Sequence, residues 1–297
     1  MARTIRALLQ TTIPFREDDW HVGRFSLLKE HLASLPGVEV TVRDRMPSRD
    51  GDDPVLSRLD DSAFDEAWIL AVDVDDGLSA ADAAGISRFH RRGRGLLVTR
   101  DHQDIGSCLC ALERVGAAHH FHTRNPERDP ARCSDDDRET PSIAWPNYRS
   151  GANGDFQSID AVEPVHPLLE APALPGGRIL RLPAHPHEGA VGVPTQEAAA
   201  RVIARGRSQA TGRAFGLAVA FEARDGFGRA VAESSFHHFA DYNWSIGAGC
   251  PSFVSERAGD GYRREPEALA DARAYVENIT YWLSQPHGGN AAAADGG

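Results

Sequence analysis

The chain has 297 residues, of which 41% are hydrophobic and 25% charged, with a net charge of -11. These are the proportions of an ordinary globular protein, long enough for one large α/β domain or two small ones. The negative balance repels phosphate backbones and anionic lipid, so it argues against nucleic acid and membrane surfaces as general partners. The first strand-like stretch is TIRALLQ (4–10), entered directly from the N-terminus without a signal-peptide pattern, which predicts a cytoplasmic protein. Phe25, Leu28, Leu32 and Leu35 then recur at helical spacing, and VEVTVRD (38–44) alternates as a second strand. AWILAVD (67–73) is a continuous apolar run, the pattern of a strand buried on both faces. Ser79 with Asp82 marks a helix start, and that helix runs to about Arg92. GLLVT (95–99) is the next buried strand, with a helix expected from Asp104 to Glu113.

The second half is less regular. Residues 123–177 are rich in Pro, Asp, Arg, Asn and Gly, and a stretch so long is expected to be a functional loop or lid. GRILRLP (177–183), ARVIARG (200–206), AFGLAVAF (214–221) and GRAVAESSF (228–236) read as strands, the last two joined by a hairpin turn. A final helix follows Pro266, with Leu269, Ala272, Val276, Ile279 and Leu283 on one face. The β-α-β-α rhythm predicts a single α/β domain over 1–286, with a mostly parallel, flavodoxin-like central sheet flanked by helices. Residues 287–297 hold nothing to bury and are expected to be a disordered tail.

In open α/β sheets, ligands bind outside the carboxyl ends of the strands. Acids and histidines gather at several such predicted ends: RDHQD (100–104), AHPHEG (184–189) and FHHFADYNW (236–244) among them. A turn leading straight from strand to helix aims one side chain outward, here His102 or Asp101, towards backbone N–H groups that can hold an anion. His102, Asp101, His237, His238 and Asp241 are therefore the candidate catalytic residues. In an extended stretch His237 and His238 point to opposite sides, so one of them is expected to face the site. Imidazole and carboxylate also make metal ligands, and His102, His187, Glu188 and His238 are the candidate set for a divalent ion of the zinc or iron class. Arg100, Trp145, Tyr148, Asn153 and Trp244 offer the cation, aromatic faces and amides that suit a sugar-like or other polar small molecule. No phosphate loop and no G-x-S-x-G elbow is present, so neither a nucleotide cofactor nor an ordinary serine hydrolase is expected.

LSAADAAGISRFHRRGRGLLVTRDH (78–102) resembles the helix, turn, strand and elbow of the class I glutamine amidotransferase-like superfamily, nearest its trehalose-utilisation (ThuA-like) branch. GRAVAESSFHHFADYNW (228–244) resembles that branch's closing strand and histidine. The resemblance covers about 4–120 and 175–285 and implies the same fold and a site at the sheet's carboxyl edge. It stops short of a glutaminase. Cys108 stands more than a helical turn beyond the elbow, and Phe239 occupies the place where a glutamate follows the base histidine. The other cysteines, Cys110, Cys133 and Cys250, form neither a disulfide framework nor a C-x-x-C pair. The expectation is a small-molecule enzyme of hydrolytic or acid–base type, with or without a metal. A non-catalytic binding or scaffold protein is the alternative, and self-association into a homo-oligomer is left open.

Overall fold

Alternation within the central strands decides the layering. Leu9, Leu70, Leu97 and Val231 pack into one apolar cluster, and Leu8, Ile69, Val98 and Ala232 into another. Strands buried on both faces in this way need helices above and below. The computed structural model describes residues 3–133 and 136–285, and the tail expected at 287–297 lies outside them. In chain order the elements are β1 (Ile5–Thr11), α1 (Ser26–Ser34), β2 (Val38–Arg43), β3 (Glu66–Leu70), α2 (Ala80–Arg91) and β4 (Gly95–Thr99). There follow β5 (Phe156–Ser158), β6 (Asp160–Ala161), β7 (Arg181–Pro183), β8 (Ala200–Arg207), β9 (Ala214–Phe221) and β10 (Ala230–Glu233). The chain closes with α3 (Asp241–Trp244), α4 (Gly261–Arg264) and α5 (Leu269–Leu283).

One eight-stranded sheet runs β2-β1-β3-β4-β10-β9-β8-β6. Its first five strands are mutually parallel, and β9, β8 and β6 each lie antiparallel to the neighbour before them. This is the mostly parallel, helix-flanked α/β sheet that the sequence pattern predicts. The capping box at α2 is present too: Ser79 Oγ accepts from Asp82 N at 3.0 Å and the Asp82 carboxylate accepts from Ser79 N at 3.1 Å. Among the described residues no helix is long and apolar enough to cross a membrane.

Three expectations change. The helix predicted over 104–113 is only a 3-10 turn, Ser107–Ala111, because Gly106 adopts φ +78 and breaks the helical path before it starts. No α-helix N-terminus therefore points at the elbow. The run 177–183 supplies only β7, which pairs with β5 in a separate ribbon rather than joining the sheet. Its Leu180 and Arg181 N–H groups go instead to the Asp271 carboxylate on α5. Finally, the 123–177 segment is not a bare lid. It adds β6 to the sheet edge and places Trp145 and Tyr148 in the core.

Candidate metal centre

β4 and β10 are adjacent and parallel, with Thr99 opposite Glu233. The residues leaving them therefore run on side by side. Arg100 N donates to Glu233 O at 3.2 Å, and Phe236 N donates to Arg100 O at 2.9 Å. Asp101 and Ser235 thus meet, and Ser235 Oγ donates to Asp101 Oδ1 at 2.8 Å. A third segment, 184–189, crosses these strand ends from the β5–β7 ribbon. It comes so close that a Cβ on Gly189 would lie 2.5 Å from Asp101 O and 2.6 Å from Ser234 O. Glycine is required there, and the close approach delivers His185 and His187 to the same edge.

Asp101, His185 and His237 form a buried group whose ligand-type atoms all lie within 4.8 Å of one another, so it could hold a metal ion. His185 Nε2 stands 3.5 Å and His237 Nε2 3.8 Å from Asp101 Oδ2. Tetrahedral zinc with bonds of about 2.1 Å keeps its ligand atoms roughly 3.4 Å apart. The spacing is therefore close to that of a coordination shell. The His185 and His237 rings stack 13° from parallel with centroids 3.5 Å apart, so a shared ion would require them to splay.

The protonation of both rings follows from one backbone carbonyl. Ala184 O can only accept, so the atom of Asn243 that meets it at 2.9 Å is the amide nitrogen. Asn243 Oδ1 then faces His237 Nδ1 at 2.8 Å, and that nitrogen must donate. Asn243 Nδ2 also donates to Asn153 Oδ1 at 2.9 Å, and the same oxygen lies 3.0 Å from His185 Nδ1, which donates in turn. Nδ1 of each ring therefore carries a proton, and Nε2 of each ring faces Asp101. Such outer partners orient and hold metal-binding imidazoles.

Electrostatics favour an ionised Asp101 and a neutral His237. Burial alone would raise the Asp101 carboxyl, but the neighbouring His185 and His102 outweigh it and hold the group well below the usual carboxylate range. Burial, reinforced by His185, pushes His237 well below an ordinary imidazole. An ionised Asp101 and a neutral His237 are the forms that bind metal without first losing a proton. His102 Nδ1 donates to Asp101 Oδ2 at 2.9 Å, and its side chain, 19% exposed, is the most open of the four rings. His187 stands behind, 5.8 Å from the His185 ring, with Nε2 3.0 Å from Glu256 Oε1 and Nδ1 3.3 Å from Asn147 Oδ1.

Several expected site residues sit elsewhere. His238 points away from His237 into the core, where Nε2 meets Glu188 Oε1 at 2.8 Å and Nδ1 meets Glu233 Oε2 at 3.0 Å. Burial opposes its charge, but the two carboxylates win and raise it to about 10. Glu188 also accepts from Ser234 Oγ at 2.9 Å and Gln157 Nε2 at 2.8 Å. Glu188 and His238 are thus spent on each other and stand outside the Asp101 group, contrary to the expected metal set. Asp241 caps α1, taking Ser26 N at 2.9 Å and Leu27 N at 2.8 Å, which is a structural duty rather than the expected catalytic one. Arg100 is fully buried, its guanidinium 3.9 Å over the Phe121 ring and bonded to the carbonyls of Asp101, Gln103 and His120. It stiffens the elbow and has no face left for substrate. Trp244 Nε1 donates to His238 O at 2.8 Å. Trp145 and Tyr148 are buried beside Phe215, on which Tyr148 stacks at 4.4 Å. Asn153, expected to touch substrate, instead orients His185 as described.

His185, Asn243, Ser235 and Glu256 carry the site without having been singled out. The HPH spacing at 185–187 held a signal, since residues two apart in extended chain share a side. Cys108 is buried, burial raises its thiol well above the usual value, and Sγ lies 3.1 Å from Asp73 Oδ1, surroundings that disfavour a thiolate.

No protein-family model and no curated protein matches the chain. Among solved structures it is similar to a ThuA-like protein from Parabacteroides merdae, with a TM-score of 0.51 and 13% identity over 95% of this chain and 90% of that one. A cytoplasmic protein from Salmonella typhimurium matches at a TM-score of 0.49 and 11% identity, over 95% of this chain and all 100% of its own. The glutaminase domain of the Trypanosoma brucei CTP synthase matches at 0.48 and 15%, covering 96% of each chain. At such identities the likeness is one of fold: the chain shares its mostly parallel, helix-flanked α/β sheet with the ThuA-like protein.

Proposed function

We propose that the protein is a metal-dependent enzyme of hydrolytic type, acting on a sugar-like or other polar small molecule at the carboxyl edge of β4 and β10. The observation that supports this reading is the convergence of His185 Nε2, His237 Nε2 and the Asp101 carboxylate in one buried group. Two imidazoles and a carboxylate gathered in a buried site are a set of metal-ligand type. Asp101, His185 and His237 would hold a divalent ion, which supplies a polarised oxygen ligand at neutral pH when bound. Asn153 and Asn243 keep the ring nitrogens correctly turned. His102, linked to Asp101 and partly open to solvent, is placed to move a proton.

The Asp101–His102 pair also favours a second reading, metal-free acid–base chemistry. Elemental analysis of protein purified without chelator separates the two. About one zinc- or iron-class ion per chain is expected, by the single three-ligand group that the site offers. His185→Ala and His237→Ala should each lose that ion while keeping a native circular dichroism spectrum. Metal-free protein that binds or turns over polar substrates despite chelation would overturn the metal reading and leave the dyad. Failure of both metal and substrate binding would leave a scaffold.

A further inference from the structure

A cavity lies apart from the metal group, and none of its lining residues belongs to that group. It has a volume of about 760 Å³ and lies between the 125–131 segment, the 190–196 segment and the faces of β8 and β9. That volume suits an organic molecule, since ligand clefts run from about 300 to 1,000 Å³. Trp145, Tyr148 and Phe215 give one wall an aromatic face. Arg128 and Arg205 come to it from different elements, and both are exposed. Neither guanidinium has a hydrogen bond or ion pair among the described residues, whereas Glu127, the acid of the lining, lies 3.6 Å from His120. Two uncompensated guanidinium groups beside an aromatic wall are unusual in a chain of net charge -11. Arginine forks match carboxylate and phosphate oxygens, and flat rings lie well on aromatic faces.

We propose that this cavity is a binding site of its own for a flat organic anion, a ring or similar unsaturated body carrying a carboxylate or phosphate. The anionic head meets Arg128 and Arg205, and the body lies along Trp145, Tyr148 and Phe215.

Isothermal titration of the full chain with phenyl phosphate, benzoate and inorganic phosphate tests this. Saturable binding of at least one ring-bearing anion is expected, with inorganic phosphate weaker. Arg128→Glu with Arg205→Glu should weaken it by about tenfold or more, the equivalent of roughly 1.4 kcal/mol. His237→Ala, which breaks the metal group, should leave it unchanged. Should the double variant lose its native melting transition, Arg128→Gln and Arg205→Gln singly take its place, each weakening binding. No saturable binding of either ring-bearing anion overturns the proposal. So does binding that ignores the arginines, or that disappears in His237→Ala and hence belongs to the metal centre. Inorganic phosphate binding as tightly as phenyl phosphate overturns the site as one for organic anions.

Discussion

Asn243 decides more of the site's chemistry than its neutral side chain suggests. Its amide is read off the Ala184 carbonyl, and from there the Nδ1 protons of His237 and His185 follow in turn. Replacing it by alanine removes the acceptor for His237 Nδ1 and the donor that fixes Asn153. His237 could then turn its proton to Nε2, where it would quench the lone pair aimed at Asp101. Asn243→Ala should lower metal affinity by about 10- to 100-fold, the usual loss when an outer-shell partner goes. The accompanying loss of stability should stay near 1–3 kcal/mol, the cost of leaving a buried polar group unpaired. Competition against a chromogenic chelator measures the first and denaturant titration the second. Unchanged metal affinity at full folding would mean that the tautomer relay plays no part.

At the scale of elements, Asp241 shows how a residue can sit in the right motif for the wrong reason. It stands four residues beyond His237, where a histidine-orienting carboxylate is plausible, yet its oxygens take the first free N–H groups of α1. Asp241→Ala should cost about 1–2 kcal/mol as a lost helix cap, with metal content and metal affinity as in the wild type. A loss of metal at unchanged stability would return Asp241 to the site. The same contrast runs through the rest of the molecule. β3, α2, β4 and the β9–β10 hairpin were legible because apolar period, capping residues and turn chemistry are local signals. The gathering of acids and histidines at strand ends was legible too, because sheet topology places those ends together. Which histidine of a pair faces the site was not. His185 reaches Asp101 and His187 turns to Glu256 only because Gly189 lets their segment lie across two strand ends, a contact between distant parts of the chain. The 145–157 segment misled for a similar reason. Its aromatic and amide residues suit a substrate lid, but Tyr148 is stacked on Phe215 from β9 and Asn153 is tied to His185 and Asn243.

For the molecule as a whole, buried ionisable groups set a stability maximum between opposing slopes. Burial pushes His237 and His119 well below an ordinary imidazole and lowers His187 as well. These rings take up protons in the unfolded chain before they do in the folded one, so their contribution falls as pH drops below about 6.5. Other groups act in the opposite direction, among them His238, Glu66 and the buried Glu233 and Asp73, whose carboxyls burial raises. His238, raised to about 10 between Glu188 and Glu233, contributes fully below the unfolded imidazole value and loses that contribution as pH climbs towards 10. Glu66 lies on β3, wholly buried, with Oε1 taking Trp68 Nε1 at 3.0 Å and Oε2 without a partner. Burial raises its carboxyl to about 8, so the folded protein keeps it neutral while the unfolded chain ionises it from about 4.5 upward. Its contribution is therefore present in acid and is lost as pH rises through 8, at a slope on the order of 1 kcal/mol per pH unit. Between about pH 6.5 and 8 the losses from Glu66 and His238 add, and above 8 His238 acts without Glu66. Glu66→Gln keeps the acceptor for Trp68 and removes the titration. Its melting temperature should fall less steeply than that of the wild type from pH 6.5 to 8, and at pH 8.5 it should be the more stable of the two. Thermal unfolding followed across that range decides the matter: parallel curves for the two proteins would show that Glu66 titrates alike in the folded and unfolded chain, and the alkaline slope would then rest on the other raised groups.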